Sequence, residues 1–426
     1  MKTYTYNTKN VRGEFFSPVA VALQQSPNTR NCHGFSDIQY LESGVGRVLN
    51  FCASGRDWVQ RMIMKMGINV SVSNFFAALK SERRQSVVKD VAEHVCKQAD
   101  MLISEYSDPL AIHPELDNFE VYASDGHTHK CSAHEKPIMG KKYPVTQIFS
   151  LNLRTHTLTS LALSTPQAHK KKEHEISTLK RITTKELRMN QPTGKKVLHV
   201  YDPAIIDYTQ WHKWKRGSGI YIITREKQSS TLIKLGDNQW DKSDSRNIGI
   251  IADEIVGPSN GTIMRRIMYY DPVAGKMYRY ITNEMTLPPG LLAFLYKLRW
   301  DVEKVFDEIK NKTFEQKAWA KSHSAKRQQS MFIALAHNLM RILETKLEKE
   351  ENIVDETSTK KRKERIARDI CKAEKAGYTP NPLVSQWRRA TQRSAQFIRW
   401  LTHSLNNATS WQEAIRVLRP LMVKIL

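Results

Sequence analysis

Four polar side chains stand at fixed spacing in the segment YKLRWDVEKVFDEIK, residues 296–310: Tyr296, Arg299, Glu303 and Lys310. At roughly 100° per helical residue, the other three lie within about 40° of Glu303 around one helix axis. The segment therefore predicts a helix with a stripe of one carboxylate, two cations and a phenol. The carboxylate could bind a metal ion, and the cations could bind phosphates.

The opposite face of this segment is apolar and predicts that the helix packs on a core. It comprises Leu298, Val302, Val305 and Ile309. An ordinary amphipathic helix with mixed surface charges has the same pattern. The chemical interpretation therefore depends on matching acids elsewhere in the chain.

Two aspartates upstream supply such acids. NFEVYASDG (118–126) alternates like a strand and is predicted to end at Asp125, and KVLHVYD (196–202) is an apolar run that ends at Asp202 before Pro203. Strand ends are where an α/β sheet presents functional groups, although a strand-ending aspartate more often caps a turn. Together with Glu303, Asp125 and Asp202 could hold a pair of divalent cations. Their hard oxygen ligands favour Mg²⁺ or Mn²⁺ over zinc.

The pattern along the chain predicts a mixed α/β fold. Further strands are predicted at 143–153 and 156–165, and a basic helical segment at 170–188 precedes the strand at 196–202. The block 204–283 is β-rich, with strand-like runs at 219–226, 246–257, 262–271 and 276–283. Pro288 and Pro289 then start the long helix, and a second helix is predicted at about 323–348.

Helical regions flank this core. Residues 1–112 are predicted to be helical and could bind DNA, or could serve packing alone. Residues 346–426 form a basic helical region with possible DNA or dimer contacts. Its charge run at 356–369 could contact DNA or be solvated. The catalytic domain is expected between them, at 113–345.

Composition narrows the class of partner. A net charge of +23 and a pI of about 9.7 indicate that the partner is a polyanion, first of all nucleic acid. A generally basic protein or a protein that binds membrane surfaces has the same excess of lysine and arginine. No apolar run is long enough to span a bilayer, and the start of the chain lacks a secretory core, so we expect a soluble intracellular protein. Five widely spaced cysteines without C-x-x-C favour reduced thiols.

The pattern Y-x2-R-x3-E-x6-K resembles the signature of the DDE transposases of bacterial insertion sequences, in particular the fourth insertion-sequence family. Asp125 followed by Gly126 resembles the first acid of that family, and Asp202 after KVLHVY resembles the second. The resemblance implies an α+β fold with a ribonuclease H-like catalytic core. It also implies a β-rich insertion, about 204–283, between the second aspartate and the glutamate.

The resemblance further implies roles for residues. Asp125, Asp202 and Glu303 would be catalytic and bind two Mg²⁺ or Mn²⁺ ions, and Tyr296, Arg299 and Lys310 would bind DNA. The partners would be double-stranded DNA, at terminal inverted repeats and at the target, and a second copy in a synaptic homodimer. The location would be the bacterial cytoplasm, at the nucleoid when DNA is bound.

One departure concerns the second acid. Many family members have Asp-Arg there, whereas this chain has Asp202 and Pro203, and Asp207 is a nearby substitute candidate.

Several alternatives stay open. The protein could be a ribonuclease H-like nuclease or recombinase without strand transfer, or an inactive transposase-derived DNA-binding protein. Hairpin formation at the element end would require an aromatic side chain that holds a flipped base. The candidates are Trp211, Trp214 and Trp240, although packing is the favoured interpretation of each.

A run of histidine and cysteine follows the first acid: His127, His129, Cys131 and His134. Such density can bind zinc, but the spacing does not match a zinc finger. A polar loop, or a histidine that lines the active site, fits the segment better.

Overall fold

A computed structural model describes residues 9–32, 34–50, 52, 54–137, 140–165, 173–258, 261–313, 317–386 and 392–423. The start of the chain and the beginning of the basic segment at 170–188 lie outside these residues. The helices are α1 (Val11–Gln25), α2 (Asp37–Leu49), α3 (Gly55–Met66), α4 (Val72–Ala78), α5 (Glu82–Ser104), α6 (Glu175–Arg181), α7 (Thr184–Leu187), α8 (Tyr208–Ser218), α9 (Pro289–Leu298), α10 (Trp300–Asn311), α11 (His323–Glu351), α12 (Glu356–Lys375), α13 (Leu383–Gln386), α14 (Ala395–Asn406) and α15 (Trp411–Met422). The strands are β1 (Phe119–Thr128), β2 (Thr146–Asn152), β3 (Leu158–Leu163), β4 (Lys196–Val200), β5 (Ile220–Arg225), β6 (Ile233–Asp237), β7 (Ile250–Gly257), β8 (Met264–Asp271) and β9 (Lys276–Thr282).

The named strands form one mixed sheet in the order β3-β2-β1-β4-β5-β9-β8-β7-β6. β1, β4 and β5 are parallel neighbours, whereas β2 and β3 pair antiparallel beyond β1. β9 pairs antiparallel with β5 and joins the remaining strands to the core. This confirms the predicted α+β class.

The block at 204–283 differs in part from the prediction. Helix α8, which the sequence analysis missed, connects β4 to β5 as a crossover between parallel strands. The side chain of Asp207 caps the start of α8, and Gly219 ends it with φ of 61°. β5 therefore joins the central sheet directly beside β4. The strands β6 to β9 continue the same sheet beyond β5 and do not form a separate one.

Helix α11 is the central helix of the core. It packs on α5, α2 and β3, and most of its 29 residues are buried. Ser322 caps its first turn. Serines also cap the helices at the N-terminal end of the chain, including Ser36, whose capping box with Gln39 fixes the start of α2. The predicted helix at about 323–348 is confirmed.

The segment predicted as one helix from Tyr296 to Lys310 is two helices. α9 starts at Pro289, as predicted, but its hydrogen-bond ladder ends at Leu298, and α10 starts at Trp300. At the junction the backbone bonds span three residues, from the N–H of Arg299 to Tyr296 and from the N–H of Val302 to Arg299. The apolar face of the segment is buried as predicted.

Candidate active site

Strand register places the two aspartates side by side. In the parallel ladder of β1 and β4, the last pair is Ala123 with Val200. Asp125 and Asp202 each lie two residues beyond that pair, so both stand at the carboxyl edge of adjacent strands. The prediction that Asp125 ends its strand is wrong, because β1 continues to Thr128 by pairing with β2 alone.

Helix α10 brings the third acid to the same edge. It packs on β1 and β2 through its apolar face, with Val302, Val305 and Ile309 buried. This leaves Glu303 half-buried on the side that faces the aspartates. The three acids are close enough to influence one another, because the charges of Asp202 and Glu303 both raise the pKa of Asp125.

Arg299, at the junction of α9 and α10, joins two of the acids. Its Nη2 donates to Oε1 of Glu303 at 2.7 Å, and its Nη1 donates to Oδ2 of Asp125 at 3.4 Å. Asp202 is held differently: its Oδ1 accepts from the N–H of Ala204 at 2.8 Å, which caps the turn that begins at Pro203. Pro203, which stands where many members of the resembled family have arginine, therefore fits the turn that follows Asp202.

The environment disfavours full ionisation of the site. Burial is the largest cause that raises the pKa of Asp125, to about 6, and the negative charges of Asp202 and Glu303 act in the same direction. The N–H of Gly126 and the guanidinium of Arg299 oppose this shift and lower the pKa. Three carboxylates that repel one another in a partly buried cleft provide the charge pattern that a cation would relieve.

Gly126 has a steric role next to the first acid. A Cβ at this position would lie 2.3 Å from Oε1 of Glu175 and 2.7 Å from the methyl group of Thr146. Only glycine lets α6 approach β1 so closely. The Asp-Gly pair that suggested a turn is therefore a site of close packing inside a strand.

Tyr296, Arg299 and Lys310 do not form one exposed stripe. Tyr296 is only 9% exposed and packs on Tyr280, with ring centroids 4.8 Å apart. Arg299 is half-buried, and Lys310 is exposed. Part of the predicted stripe is therefore below the surface, and of these three residues it is Lys310 that meets solvent most fully.

The histidine run after Asp125 is mostly buried. His127 and His129 lie with ring centroids 4.5 Å apart, and His127 packs on Phe306 of α10 at 4.9 Å. Burial, followed by the charges of His129 and Lys310, lowers the pKa of His127 to about 3. Across the part of the chain that the structure describes, no group of three His, Cys, Asp or Glu side chains is arranged as a metal site, and this holds for Asp125, Asp202 and Glu303 as well. The run supports neither a zinc site nor a polar loop at 127–129.

The carboxylates nonetheless suit a hard divalent cation by their chemistry. Asp125, Asp202 and Glu303 offer oxygen ligands, which Mg²⁺ and Mn²⁺ prefer. Arg299 supplies positive charge between two of them in this arrangement. The donor set therefore fits the ion class, and binding would require the guanidinium to give up its contacts with the acids.

The favoured packing interpretation is confirmed for two of the three tryptophans. Trp211 and Trp214 are buried against the second core cluster and serve packing, and Trp240 is half-buried. Trp300, next to Arg299, is 49% exposed, with the guanidinium of Arg299 at 5.5 Å from its ring. It borders a cavity of about 270 Å³ whose wall includes Tyr278. Only its position beside Arg299 in the sequence pointed to it.

Asp207, the substitute candidate for the second acid, has other partners. It caps α8 through the N–H of Gln210 at 2.9 Å and pairs with Lys180. These contacts lower its pKa, although burial acts against them as the largest single effect. The structure gives Asp207 a local role and leaves Asp202 next to Asp125.

Comparison with known proteins agrees with this geometry. The family model described as a transposase DDE domain matches residues 122–339, which contain all three acids. No curated protein matches the sequence significantly. Among the described residues, no helix is long and apolar enough to cross a membrane.

Proposed function

The chain belongs to the family of the transposase DDE domain, with a ribonuclease H-like core, and from that premise we propose that it cuts DNA at the ends of an insertion sequence and joins the freed 3′-OH ends to target DNA. The observation that supports the proposal is that three acids from separate parts of the chain lie near one another. Asp125 and Asp202 are neighbours by strand register, and Arg299 ties Glu303 to Asp125.

We assign metal binding to Asp125, Asp202 and Glu303, with two Mg²⁺ or Mn²⁺ ions as the cofactors. When bound, such ions activate the attacking oxygen and stabilise the leaving oxygen of a phosphodiester. The protein itself contributes the separation and orientation of the carboxylates. Asp125 lies on β1, Asp202 lies two residues beyond the end of the neighbouring β4, and Glu303 lies on a helix that packs on β1 and β2.

The basic residues around the acids would position the DNA strand. Arg299 and Lys310 place positive charge on both sides of Glu303 along α10, where phosphates of the scissile strand must lie. Tyr296 would support this surface from below, since its ring packs on Tyr280 and lies 6.0 Å from the guanidinium of Arg299. We expect Arg299 to exchange its contacts with the acids for a phosphate when DNA binds.

The reaction has two displacements in this proposal. In the first, a water oxygen attacks the phosphorus at the element end, the bond from phosphorus to the 3′ oxygen breaks, and a 3′-OH is released. In the second, that 3′-OH attacks a phosphorus of the target, and the target's own 3′ oxygen leaves. In each step one P–O bond forms and one breaks, and the leaving 3′ oxygen takes up the proton that the attacking oxygen gives up. The first step turns a phosphodiester into a phosphomonoester, the second exchanges one phosphodiester for another, and neither needs an oxidant or a reductant.

Trp300 is the aromatic that we assign to an unpaired terminal base. It is exposed, whereas Trp211 and Trp214 are buried. The neighbouring cavity of about 270 Å³ has aromatic and cationic walls, including Tyr278 and Arg225, with the guanidinium of Arg225 5.4 Å from the ring of Tyr278. Such a surface suits stacking of a base.

Two ends must be held together for joining, so we propose a homodimer on DNA. The rival functions are a nuclease that cuts without joining and a DNA-binding protein that has lost catalysis. The presence of all three carboxylates favours an enzyme over the second rival. Strand transfer distinguishes transposase from the first.

The test uses a duplex that carries the terminal inverted repeat, taken from the DNA on either side of the gene. Incubation with the protein, Mg²⁺ and a supercoiled plasmid should release a 3′-OH end and yield plasmid joined to that end. Cleavage without joined products would favour the nuclease. Binding without cleavage in Mg²⁺ and in Mn²⁺ would favour the inactive DNA-binding protein.

A further inference from the structure

Helix α12 is unusual in how little of it is covered. It has 20 residues, and Ala373 is the one that is buried among them. A helix whose surface is nearly all exposed gains little from packing and usually bridges other elements or carries charge for a partner. Here the exposed surface is strongly basic.

The basic residues are ordered rather than scattered. Lys361, Arg365, Arg368, Lys372 and Lys375 follow one another at spacings of four, three, four and three, and all five are exposed. At roughly 100° per residue they lie within about 40° of one direction around the axis, along about 21 Å. None of the acids of α12 falls inside this arc. We call these five residues the α12 stripe.

Contacts at both ends hold the helix in place. Asp355 caps its start, with the N–H of Ser358 donating to Oδ1 at 2.9 Å. At its other end Lys372 donates to the carbonyl of Val273, and the chain continues to Tyr378, whose ring lies 5.2 Å from that of Tyr270. The helix is therefore anchored to the β8–β9 turn.

The same helix runs beside the catalytic elements. Its first turns share a cavity of about 370 Å³ with Lys304 and Glu308 of α10, the helix that carries Glu303. Beyond its end, Leu383 and Val384 border the cavity next to Trp300. Helix α12 therefore lies beside α10 at its start, and the segment beyond its end borders the cavity next to Trp300.

A row of cations without acids fits phosphates. Duplex DNA carries one negative charge per about 1.7 Å of its axis, so a 21 Å row of five cations lies opposite many phosphates. Contacts of these side chains with phosphates fix the position of a duplex and carry no sequence information. A row that engages phosphates therefore tolerates any sequence.

We propose that the α12 stripe binds the target DNA duplex, into which the element is inserted. This goes beyond the assigned acids and rests on the proposed function for the identity of the duplex. Target DNA varies in sequence from one insertion to the next, and a surface that contacts phosphates alone accommodates that variation. The end of the element, in contrast, must be recognised by its sequence.

The test compares two double variants of α12. Arg365→Gln with Arg368→Gln removes two charges from the stripe, whereas Lys360→Gln with Lys363→Gln removes two charges from other directions of the same helix. Both retain residues with good helix propensity, and circular dichroism checks that both fold. Binding to a random-sequence duplex without terminal repeats is measured over a series of salt concentrations.

The stripe variant should lower the slope of log K against log salt by about 2, one for each lost phosphate contact, and the control should keep the wild-type slope. Joining to plasmid should fall roughly tenfold or more, while release of the 3′-OH from the terminal-repeat duplex persists. Equal slopes in wild type and stripe variant, or equal losses in both variants, overturn the proposal.

Two further outcomes would also overturn it. Loss of binding to the terminal-repeat duplex alone would assign the stripe to the element end, and a change only in oligomeric state would assign it to a protein partner. Because binding to the random duplex needs no cleavage, failure of the catalytic assignment leaves this test intact.

Discussion

Arg299 donates from Nη2 to Oε1 of Glu303 at 2.7 Å, across the junction where the helical hydrogen-bond ladder is interrupted. The same guanidinium reaches Asp125 at 3.4 Å. In the DNA-free chain it therefore places a positive charge between two of the acids that we assign to metal binding. Metal ions and Arg299 should compete for these carboxylates.

Arg299→Gln tests that competition. Without the guanidinium, the acids repel one another more strongly, so the variant should lose about 1–3 kcal/mol of stability without metal. It should gain more from Mg²⁺ than the wild type does, because a bound cation replaces the missing charge. The measurement is the shift of Tm between metal-free buffer and Mg²⁺.

The matched control is Arg61→Gln, which removes another ion pair between residues four apart, with Asp57 at 2.8 Å on α3. It should leave the Mg²⁺ shift unchanged. If the Arg299 and Arg61 variants respond equally to Mg²⁺, the competition account is wrong.

Trp300→Ala should weaken cleavage at the element end by removing the stacking surface for a base, worth about 1–3 kcal/mol or roughly 5- to 150-fold. Trp300→Phe should retain most of the activity, because its ring can still stack. A fluorescent base analogue at the last position of the repeat reports whether that base leaves the duplex. Trp240→Ala is the comparison. If Trp240→Ala lowers cleavage and Trp300→Ala does not, Trp240 rather than Trp300 is the residue that stacks on the base.

A buried ion cluster fixes the C-terminal region on the catalytic helix. Arg393 is 6% exposed and pairs with Glu308 of α10 at 2.6 Å and with Glu344 of α11 at 3.0 Å. Arg393→Met leaves the buried Glu308 without its partner and should lower the free energy of unfolding by about 3–5 kcal/mol. Denaturant titration gives this value.

Arg416→Met serves as the control for Arg393. Arg416 pairs with Glu413 at 2.7 Å on the exposed surface of α15, where solvent screens the pair and it adds little to stability. Similar losses in the two variants would show that the Arg393 cluster does not anchor the C-terminal region.

Acid should destabilise the protein through His199. This side chain is fully buried in β4, with Nε2 donating to the carbonyl of Leu187 at 2.8 Å, and burial lowers its pKa from 6.5 to about 4. The unfolded chain therefore binds a proton more readily than the native one. The resulting stability is fully present above about pH 6.5 and is lost as the pH falls toward 4, to a total of about 3 kcal/mol.

The measurement is the free energy of unfolding of wild type and His199→Gln between pH 4 and 7. The variant should show a shallower dependence on pH over this window. Identical slopes would mean that His199 takes up no proton on unfolding.

Much of the sheet could be predicted because alternation and β-branched runs reflect burial directly. The strands at 118–126, 196–202 and 219–226 all appear, with shifted ends. β6 could not be predicted from periodicity, since it is a short edge strand with little burial. Helix α8 carried usable signals in Asp207, Gly219 and the spacing of Trp211 and Trp214, but the strand-like runs after it led to a β-rich prediction for the whole block at 204–283.

The site was harder to predict where tertiary packing overrides local pattern. Nothing in the sequence near Arg299 breaks a helix, since no proline or glycine stands there, and the periodicity continues through it. The burial of Tyr296 depends on Tyr280 from β9, which lies outside any local window. The order of the three acids along the chain, in contrast, was sufficient to predict that Asp125, Asp202 and Glu303 lie near one another. Their role as metal ligands stays a prediction.

The most direct test of the central claim measures cleavage of the terminal-repeat duplex in Mg²⁺ by Glu303→Gln. The control is Asp307→Asn, one turn further along α10, where the side chain is exposed and contacts Asn311 and Gln392. Loss of a metal ligand should cut the rate by roughly a thousandfold or more while binding of the duplex stays within about twofold. The control should cleave like wild type. Unchanged cleavage by Glu303→Gln would contradict the assignment of Glu303, and with it the proposed active site.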